Sequence, residues 1–316
     1  MSNTQESFDA RFEVDPVPHD REQLRANRDK LTSIGRDKPG EQVRIEFHAT
    51  DPDATLGAIF TVSTPFLSDP DLKRVIIGNR IANLNNCQLL ENACKGEVKA
   101  QIMLEGLSEE DAKSKGEFIE VLTPPNSQNH KLIVLAPHGG NIEPGTDVEA
   151  ELVANQFGDR ASLWLCKGFS SSKTDGHSNK DAHERWHITS TQISEKSFPK
   201  LNTIIGGNPT FEYSIAFHGW TEDSICVGGN PHNPDADLKC DIRSAIMKAL
   251  EGANSDIKVH VSPCPNGNFN GDSPDNIVNR LGTNSIQIEQ SRDARDNFYK
   301  EIAQAVAGVI GTRINT

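Results

Sequence analysis

The chain has 316 residues, which fits one large domain or two smaller ones. Its formal net charge of −13 argues against nucleic acid as a partner, because binding of phosphate groups requires a basic face. Hydrophobic residues make up only 35% of the chain, and no apolar run is long enough for a membrane span. The first residues lack the basic start and apolar core of a signal peptide, so we expect a protein that is cytoplasmic or is released without one.

Six cysteines are scattered along the chain without a CxxC pair, which argues against a structural zinc knuckle. Because there is no signal peptide pattern, we expect most of these cysteines to be free buried thiols.

The first part of the chain falls into two regions. Residues 1–41 are charged, contain prolines and are weakly patterned, which predicts an extended arm. Residues 42–122 repeat strand-like runs with polar or Gly/Pro/Asp-rich joints, which predicts a small β-rich domain with a helical turn at 109–115. This domain shows no catalytic constellation, and its role stays open. The segment 123–130 (TPPNSQNH) has the composition of a linker.

Residues 123–316 alternate strands and helices and form the third predicted region. Thr146, followed by Glu149 three residues later, gives the capping-box pattern that opens a helix. Repeated strand–helix units predict a mostly parallel or mixed sheet covered by helices on both faces. The predicted strands are LIVLA, ASLWLC, EYSIAFHGW, SICVGG, DIKVHVS and SIQIEQ, and the longer helices span 236–252 and 293–311.

Two predicted strands end in histidine. His138 follows the first strand, and after two glycines that let the loop bend comes Glu143. His218 ends a later strand in the same way. Ligands bind at the carboxyl ends of strands in open α/β sheets, and a catalytic zinc usually takes three protein ligands of these types. The pattern predicts a zinc site, and the alternative is an ordinary loop with an exposed His and Glu.

Four further residues are candidates for chemistry. Glu289 lies within an apolar strand, where a carboxylate is costly unless it is paired or used. It is either a general base that activates water or a salt-bridged structural residue. Asn279 and Arg280 end a short helix; the arginine either binds a substrate carboxylate or faces solvent. His187 follows a polar loop at 168–185, which is a lid, a substrate-contacting segment or a surface loop.

Five motifs occur in an order that resembles the poly-γ-glutamate hydrolase family of phages and bacilli: APHGGNIEPGT, WHITST, AFHGW, NIVNR and SIQIEQ. The resemblance covers roughly residues 131–309. It implies a zinc-dependent enzyme with a carboxypeptidase-like fold that cuts the amide bonds of a γ-linked glutamate chain. It further implies that zinc is held by His138, Glu143 and His218, that Glu289 is the general base, and that Arg280 meets a substrate carboxylate.

We therefore predict an α/β protein with a carboxypeptidase-like mixed sheet flanked by helices, preceded by a small β-rich domain. Its predicted regions are an arm (1–41), the β-rich domain (42–122) and a zinc hydrolase domain (123–316). The predicted function is zinc-dependent hydrolysis of γ-linked polyglutamate, with Asn279 and His187 as further substrate contacts. The alternatives are a zinc amidohydrolase acting on another acyl amino acid or peptide, and a binding protein with a degenerate metal site. An anionic peptide or polyglutamate is the expected partner, without nucleic acid or membrane, and the sequence gives no oligomeric state.

Overall fold

The computed structural model describes residues 6–15, 21–48, 56–68, 70–81, 94–124, 130–170, 180–206 and 210–314. The strands are β1 (Ser7–Val14), β2 (Gln23–Ala26), β3 (Gln42–His48), β4 (Leu56–Val62), β5 (Arg74–Ile77), β6 (Cys94–Lys99), β7 (Phe118–Thr123), β8 (Leu132–Gly140), β9 (Ala161–Gly168), β10 (Phe211–Gly219), β11 (Ser224–Gly228), β12 (Lys258–Val261) and β13 (Gly282–Gln290). The α-helices are α1 (Arg28–Ser33), α2 (Glu109–Lys115), α3 (Thr146–Phe157), α4 (Lys180–Trp186), α5 (Leu238–Gly252), α6 (Ile277–Leu281), α7 (Arg292–Asn297) and α8 (Tyr299–Ile314). Single-turn 3₁₀ helices lie at Asn79–Ile81, Gly158–Arg160 and Leu201–Thr203.

The chain divides into two compact units. Unit 1 comprises Met1–Ile119 and Gly168–Phe198, and unit 2 comprises Glu120–Lys167 and Pro199–Thr316. No helix within the described ranges is both long enough and apolar enough to cross a bilayer.

The described part of unit 1 contains a closed six-stranded barrel with the strand order β1-β5-β2-β4-β3-β6. Closure leaves no unpaired strand edge in the barrel. The structure differs here from the extended arm predicted for residues 1–41, because β1 and β2 are barrel strands. Phe8, Ala10 and Phe12 alternate with exposed or half-exposed residues and pack in the barrel core. The charged residues between them hide this alternation in the sequence.

Unit 1 also includes Gly168–Phe198, which the sequence analysis assigns to the zinc hydrolase domain. The side chain of Arg185 donates a hydrogen bond to the carbonyl oxygen of Gly57 (2.7 Å). Trp186 and Phe198 pack on Phe118, with ring centroids 5.9 and 6.2 Å apart. These contacts between residues distant in sequence explain why a contiguous region 123–316 does not describe the fold. Residues 171–179 of the predicted polar loop and 125–129 of the predicted linker lie outside the described residues.

The described strands of unit 2 belong to a seven-stranded sheet with the order β12-β11-β13-β10-β8-β9-β7. Strand β10 is parallel to β8 and β13, whereas β11 is antiparallel to β13, so the sheet is mixed. Apolar residues of α3, α5 and α8 form one core with alternate residues of these strands. Helix α6 packs on β10 and β13, where Ser214 donates a hydrogen bond to the Val278 carbonyl (2.7 Å). The predicted fold class, a mixed sheet flanked by helices and preceded by a β-rich region, is confirmed.

The predicted β-rich domain (42–122) includes most of β7, but this strand is an edge strand of the seven-stranded sheet. The cysteines give a second correction. Cys226 on β11 and Cys264 just after the neighbouring β12 form a disulfide with a Cα–Cα distance of 5.9 Å, so the expectation of free thiols is wrong for both. Their separation of 38 residues gives no local sequence signal. Cys166 is free and buried, and Cys240 is free and exposed.

Candidate metal centre

The loop after β8 folds back on itself and brings His138 against Glu143. The backbone N–H of Glu143 donates a hydrogen bond to the carbonyl oxygen of His138 (2.8 Å), which tightens the turn. The side chains then meet, with His138 Nδ1 3.0 Å from Glu143 Oε1. Both residues are buried. The short spacing between them in the sequence thus becomes a contact between two metal-ligating side chains.

His218 joins this pair from the carboxyl end of the parallel neighbour strand β10. Its Nδ1 lies 3.2 Å from His138 Nδ1 and 3.5 Å from Glu143 Oε2. The ligand atoms of the three residues all lie within 4.8 Å of one another. Ligands at zinc bond lengths in a tetrahedral site are separated by about 3.3 Å. The two nitrogens and the carboxylate are therefore spaced as ligands around one zinc-sized cation, and this donor set fits zinc.

The Glu143 carboxylate is held and ionised by its surroundings. The backbone N–H of Gly219 donates a hydrogen bond to Glu143 Oε2 (2.9 Å). Burial by itself raises the pKa of Glu143, but the two histidines outweigh burial and hold this pKa well below its usual range. The glutamate is thus present as the anion that metal binding requires.

Glu289 lies beside His218 as its register partner on the parallel strand β13. Its carboxylate is buried, and Oε1 accepts a hydrogen bond from Gln287 Nε2 (2.8 Å). The side-chain amide of Asn276 in turn donates to Gln287 Oε1 (2.7 Å), so two amides orient the carboxylate. Burial, and then the negative charge of Glu143, raise the pKa of Glu289 well above its usual range. A carboxyl group with a raised pKa suits proton transfer near neutral pH.

Asn279 and Arg280 lie on α6, which packs on the strands that hold His218 and Glu289. The amide nitrogen of Asn279 donates hydrogen bonds to the carbonyl oxygens of Gly271 and Ser273 (both 2.7 Å). Asn279 therefore anchors a loop of the protein itself. Arg280 is half-buried in the last turn of α6. A contact of either residue with substrate stays a prediction.

His187 belongs to unit 1, whereas the His–Glu–His cluster belongs to unit 2. Its Nδ1 makes a short hydrogen bond with the carboxylate of Glu22, and its carbonyl oxygen accepts one from Arg80 (2.5 Å). Burial raises the pKa of Glu22, but His187 and Arg80 reverse this effect and lower it strongly. The structure gives His187 a role within unit 1, and its substrate contact stays a prediction.

Arg295, on α7, lies next to the His–Glu–His cluster, and the sequence analysis does not identify it. It is 6% exposed, and its Nη1 donates a hydrogen bond to the carbonyl oxygen of Pro144 (2.7 Å). Its guanidinium group covers Gly219, where an added Cβ would lie 2.4 Å from Arg295 Cζ. In the sequence it stands in the polar run SRDARDN, which is typical of a solvated helix start. No local signal identifies it.

The predicted capping box at the start of α3 is wrong. The N-cap residue is Gly145, with φ 99° and no side-chain cap. Glu149 points into the protein, where its Oε2 accepts a hydrogen bond from Gln290 Nε2 (2.6 Å). Burial raises the pKa of Glu149 well above its usual range. The carboxyl group of Glu149 is therefore buried in the interior, and the backbone of Gly145 forms the turn that precedes α3.

The chain is similar to known proteins in sequence and in structure. A family model described as poly-gamma-glutamate hydrolase matches residues 105–309. The UPF0714 proteins YndL and YmaC of Bacillus subtilis strain 168 are 32% identical over 171 residues and 30% identical over 174 residues. The matches cover 53% and 54% of this chain and 56% and 61% of the relatives, so the chain spans less than two thirds of the length of these curated relatives.

Three solved structures are similar to this chain. A bacteriophage poly-gamma-glutamate hydrolase is 22% identical with a TM-score of 0.45, and the match covers 63% of this chain and 90% of that one. A zinc-free structure of YndL is 24% identical with a TM-score of 0.44, and the match covers 62% and 90% of the two chains. A metallo-carboxypeptidase from Burkholderia cenocepacia is 11% identical with a TM-score of 0.37, and the match covers 87% and 81%.

Proposed function

Because this chain belongs to the poly-γ-glutamate hydrolase family, we propose that it is a zinc-dependent enzyme that hydrolyses the amide bonds of γ-linked polyglutamate. The observation that supports this proposal most is the buried cluster of His138, Glu143 and His218, with the carboxylate of Glu289 on the adjacent strand. An intact set of three ligand side chains and a carboxylate also argues against a binding protein with a degenerate metal site.

The proposed ligands are His138 Nδ1, His218 Nδ1 and the Glu143 carboxylate. When bound there, zinc supplies Lewis-acid polarisation of the scissile carbonyl and lowers the pKa of water. A set of three protein ligands would leave one coordination position open for these functions.

Glu289 is the proposed general base. It takes a proton from the water molecule that attacks the carbonyl carbon, and it passes this proton to the amide nitrogen as the C–N bond breaks. Gln287 holds the carboxylate by a hydrogen bond of 2.8 Å and so fixes the direction of proton transfer. The raised pKa of Glu289 makes the protonated form accessible for the second step.

Recognition of an anionic chain by a protein of net charge −13 requires a local positive site. We assign this role to the metal and to Arg280, whose planar guanidinium group can bind a substrate carboxylate with two hydrogen bonds. Asn279 is the proposed neighbour of that contact. The proposed substrate contact of His187 rests on the WHITST motif alone.

The test is to incubate the purified protein with poly-γ-glutamate and, in parallel, with α-linked polyglutamate. Each reaction is run as purified, with a chelator, and with zinc restored after chelation, and chain shortening is followed by gel filtration. We expect shortening of the γ-linked polymer that stops with chelator and returns with zinc. Equal cleavage of the α-linked polymer would indicate a general peptidase, and cleavage that resists exhaustive chelation would contradict zinc dependence.

A further inference from the structure

The loop after β12, residues 263–276, carries an exposed aromatic side chain at its tip. Phe269 is 59% exposed, the most exposed large apolar side chain within the described ranges. Its φ of 59° lies in the left-handed region, which bulky residues rarely adopt. A strained, exposed aromatic residue is costly unless the surrounding structure enforces it, and such positions cluster at ligand-binding sites.

Contacts with β11 hold this loop in place. Cys264 is joined to Cys226 by the disulfide, and its backbone N–H donates a hydrogen bond to the side chain of Asn270 (2.7 Å). The carbonyl oxygen of Asn270 accepts one from the N–H of Gly229 (2.8 Å). Asn270, which follows Phe269, is therefore held by hydrogen bonds to both its side chain and its backbone. These bonds and the disulfide fix the loop tip relative to the sheet.

The same loop contacts the residue that orients Glu289. Gln287 Nε2 lies 3.3 Å from the carbonyl oxygen of Phe269 and 2.8 Å from Glu289 Oε1, so one amide group bridges the loop tip and the carboxylate. Gly271 approaches Gln287 so closely that an added Cβ would lie 2.7 Å from Gln287 Cβ. Phe269 is thus held at a set distance from the proposed general base.

We propose that Phe269 is a specificity-determining residue whose ring packs against the two side-chain methylene groups of a glutamyl unit bound next to the cleaved amide. This inference rests on the proposed function. A γ-linked glutamate chain alternates carboxylates and amides with pairs of methylene groups, and these pairs are its main apolar surface. The cationic groups of the site meet the carboxylates, and an exposed phenyl ring meets the methylene groups.

The experiment compares Phe269→Ala, Phe269→Gly and Phe269→Leu with the wild type, and Leu104→Ala is the matched control. Leu104 is an exposed apolar residue (37%) in unit 1. KM and kcat are measured on short γ-glutamate oligomers. Kd for the same oligomer is measured by calorimetry after introducing Glu289→Gln into each variant. Zinc content and thermal unfolding establish that each variant is folded.

We expect Phe269→Ala and Phe269→Gly to raise both KM and Kd by about 3- to 10-fold, the effect of uncovering roughly half of an aromatic side chain. Phe269→Leu should recover most of this loss, and kcat should change less than twofold. Glycine adopts the positive φ without strain, whereas alanine adopts it at the same cost as the native phenylalanine, so equal losses in the two variants identify the ring, not the backbone, as the cause.

Unchanged KM and Kd in Phe269→Ala and Phe269→Gly, with an active wild type, would overturn this inference and leave the proposed function intact. Recovery of binding in Phe269→Gly, but not in Phe269→Ala, would overturn it as well, because the backbone would then be responsible. A wild type that neither binds nor cleaves the oligomer would instead reject the proposed function.

Discussion

Replacing Gly219 with alanine tests whether Arg295 supports the candidate metal centre. The added Cβ would lie 2.4 Å from Arg295 Cζ and 2.7 Å from both Nε and Nη2, whereas ordinary contacts begin at 3.4 Å. The guanidinium group must therefore retreat by about 1 Å, because a well-packed interior cannot absorb such an overlap.

The expected cost follows from what this movement disrupts. The hydrogen bond from Arg295 Nη1 to the Pro144 carbonyl (2.7 Å) is lost or stretched, which costs about 1.5–3 kcal/mol for a charged donor. The backbone N–H of Gly219 also binds Glu143 Oε2 (2.9 Å), and its displacement disturbs a proposed ligand. Loss of such an outer contact typically lowers metal affinity by about 10- to 100-fold.

The assay measures urea unfolding of the metal-free protein and zinc affinity by competition with a chelator. Gly308→Ala is the control, because its added Cβ meets nothing within 4 Å and lies within α8. This control should be neutral or more stable by up to about 1 kcal/mol, as alanine favours helix. Wild-type stability and zinc affinity in Gly219→Ala would refute the supporting role of Arg295.

Three further predictions concern individual carboxyl and guanidinium groups. Glu289→Gln should retain zinc and substrate binding but lower kcat by about 10²- to 10⁴-fold, and full activity would remove the proposed mechanism. Arg280→Ala should lower kcat/KM for acidic substrates by a factor that corresponds to about 1.5–3 kcal/mol and leave kcat/KM for neutral analogues nearly unchanged. Equal losses of kcat/KM for both kinds of substrate would mark Arg280 as structural. Glu149 has a raised pKa, so the folded protein keeps a proton that the unfolded chain releases, and stability falls as pH rises above the unfolded pKa of about 4.3. The stability of Glu149→Gln relative to the wild type should therefore increase as pH rises above about 4.5, measured by urea unfolding, and a difference that stays constant with pH would contradict this linkage.

The convergence of His138, Glu143 and His218 could be foreseen because each stands at or just after the end of an apolar strand. Parallel neighbouring strands place their carboxyl ends together, so a strand pattern alone brings such residues to one edge. Glu289 follows from the same logic, since its neighbours Ile286 and Ile288 are buried on the opposite face.

Other features depend on contacts that the local sequence does not encode. Arg295 is buried with its guanidinium group against Gly219, and no pattern in its own segment indicates this. The aromatic residues of β1 are separated by charged ones, so composition pointed to an arm although the period was that of a strand. Trp186 belongs to unit 1 through packing on Phe118, a partner far away in the chain.

Metal content per chain, measured by atomic spectroscopy after loading with zinc and dialysis, tests the central claim most directly. The proteins to compare are the wild type, His138→Ala, His218→Ala and the control His232→Ala, which alters an exposed histidine of unit 2. We expect about one zinc per chain in the wild type and in the control, since one site takes three protein ligands. The two site variants should hold almost none while keeping their circular dichroism spectrum. Equal zinc in all four proteins, or no zinc in the folded wild type, would contradict the proposed metal centre.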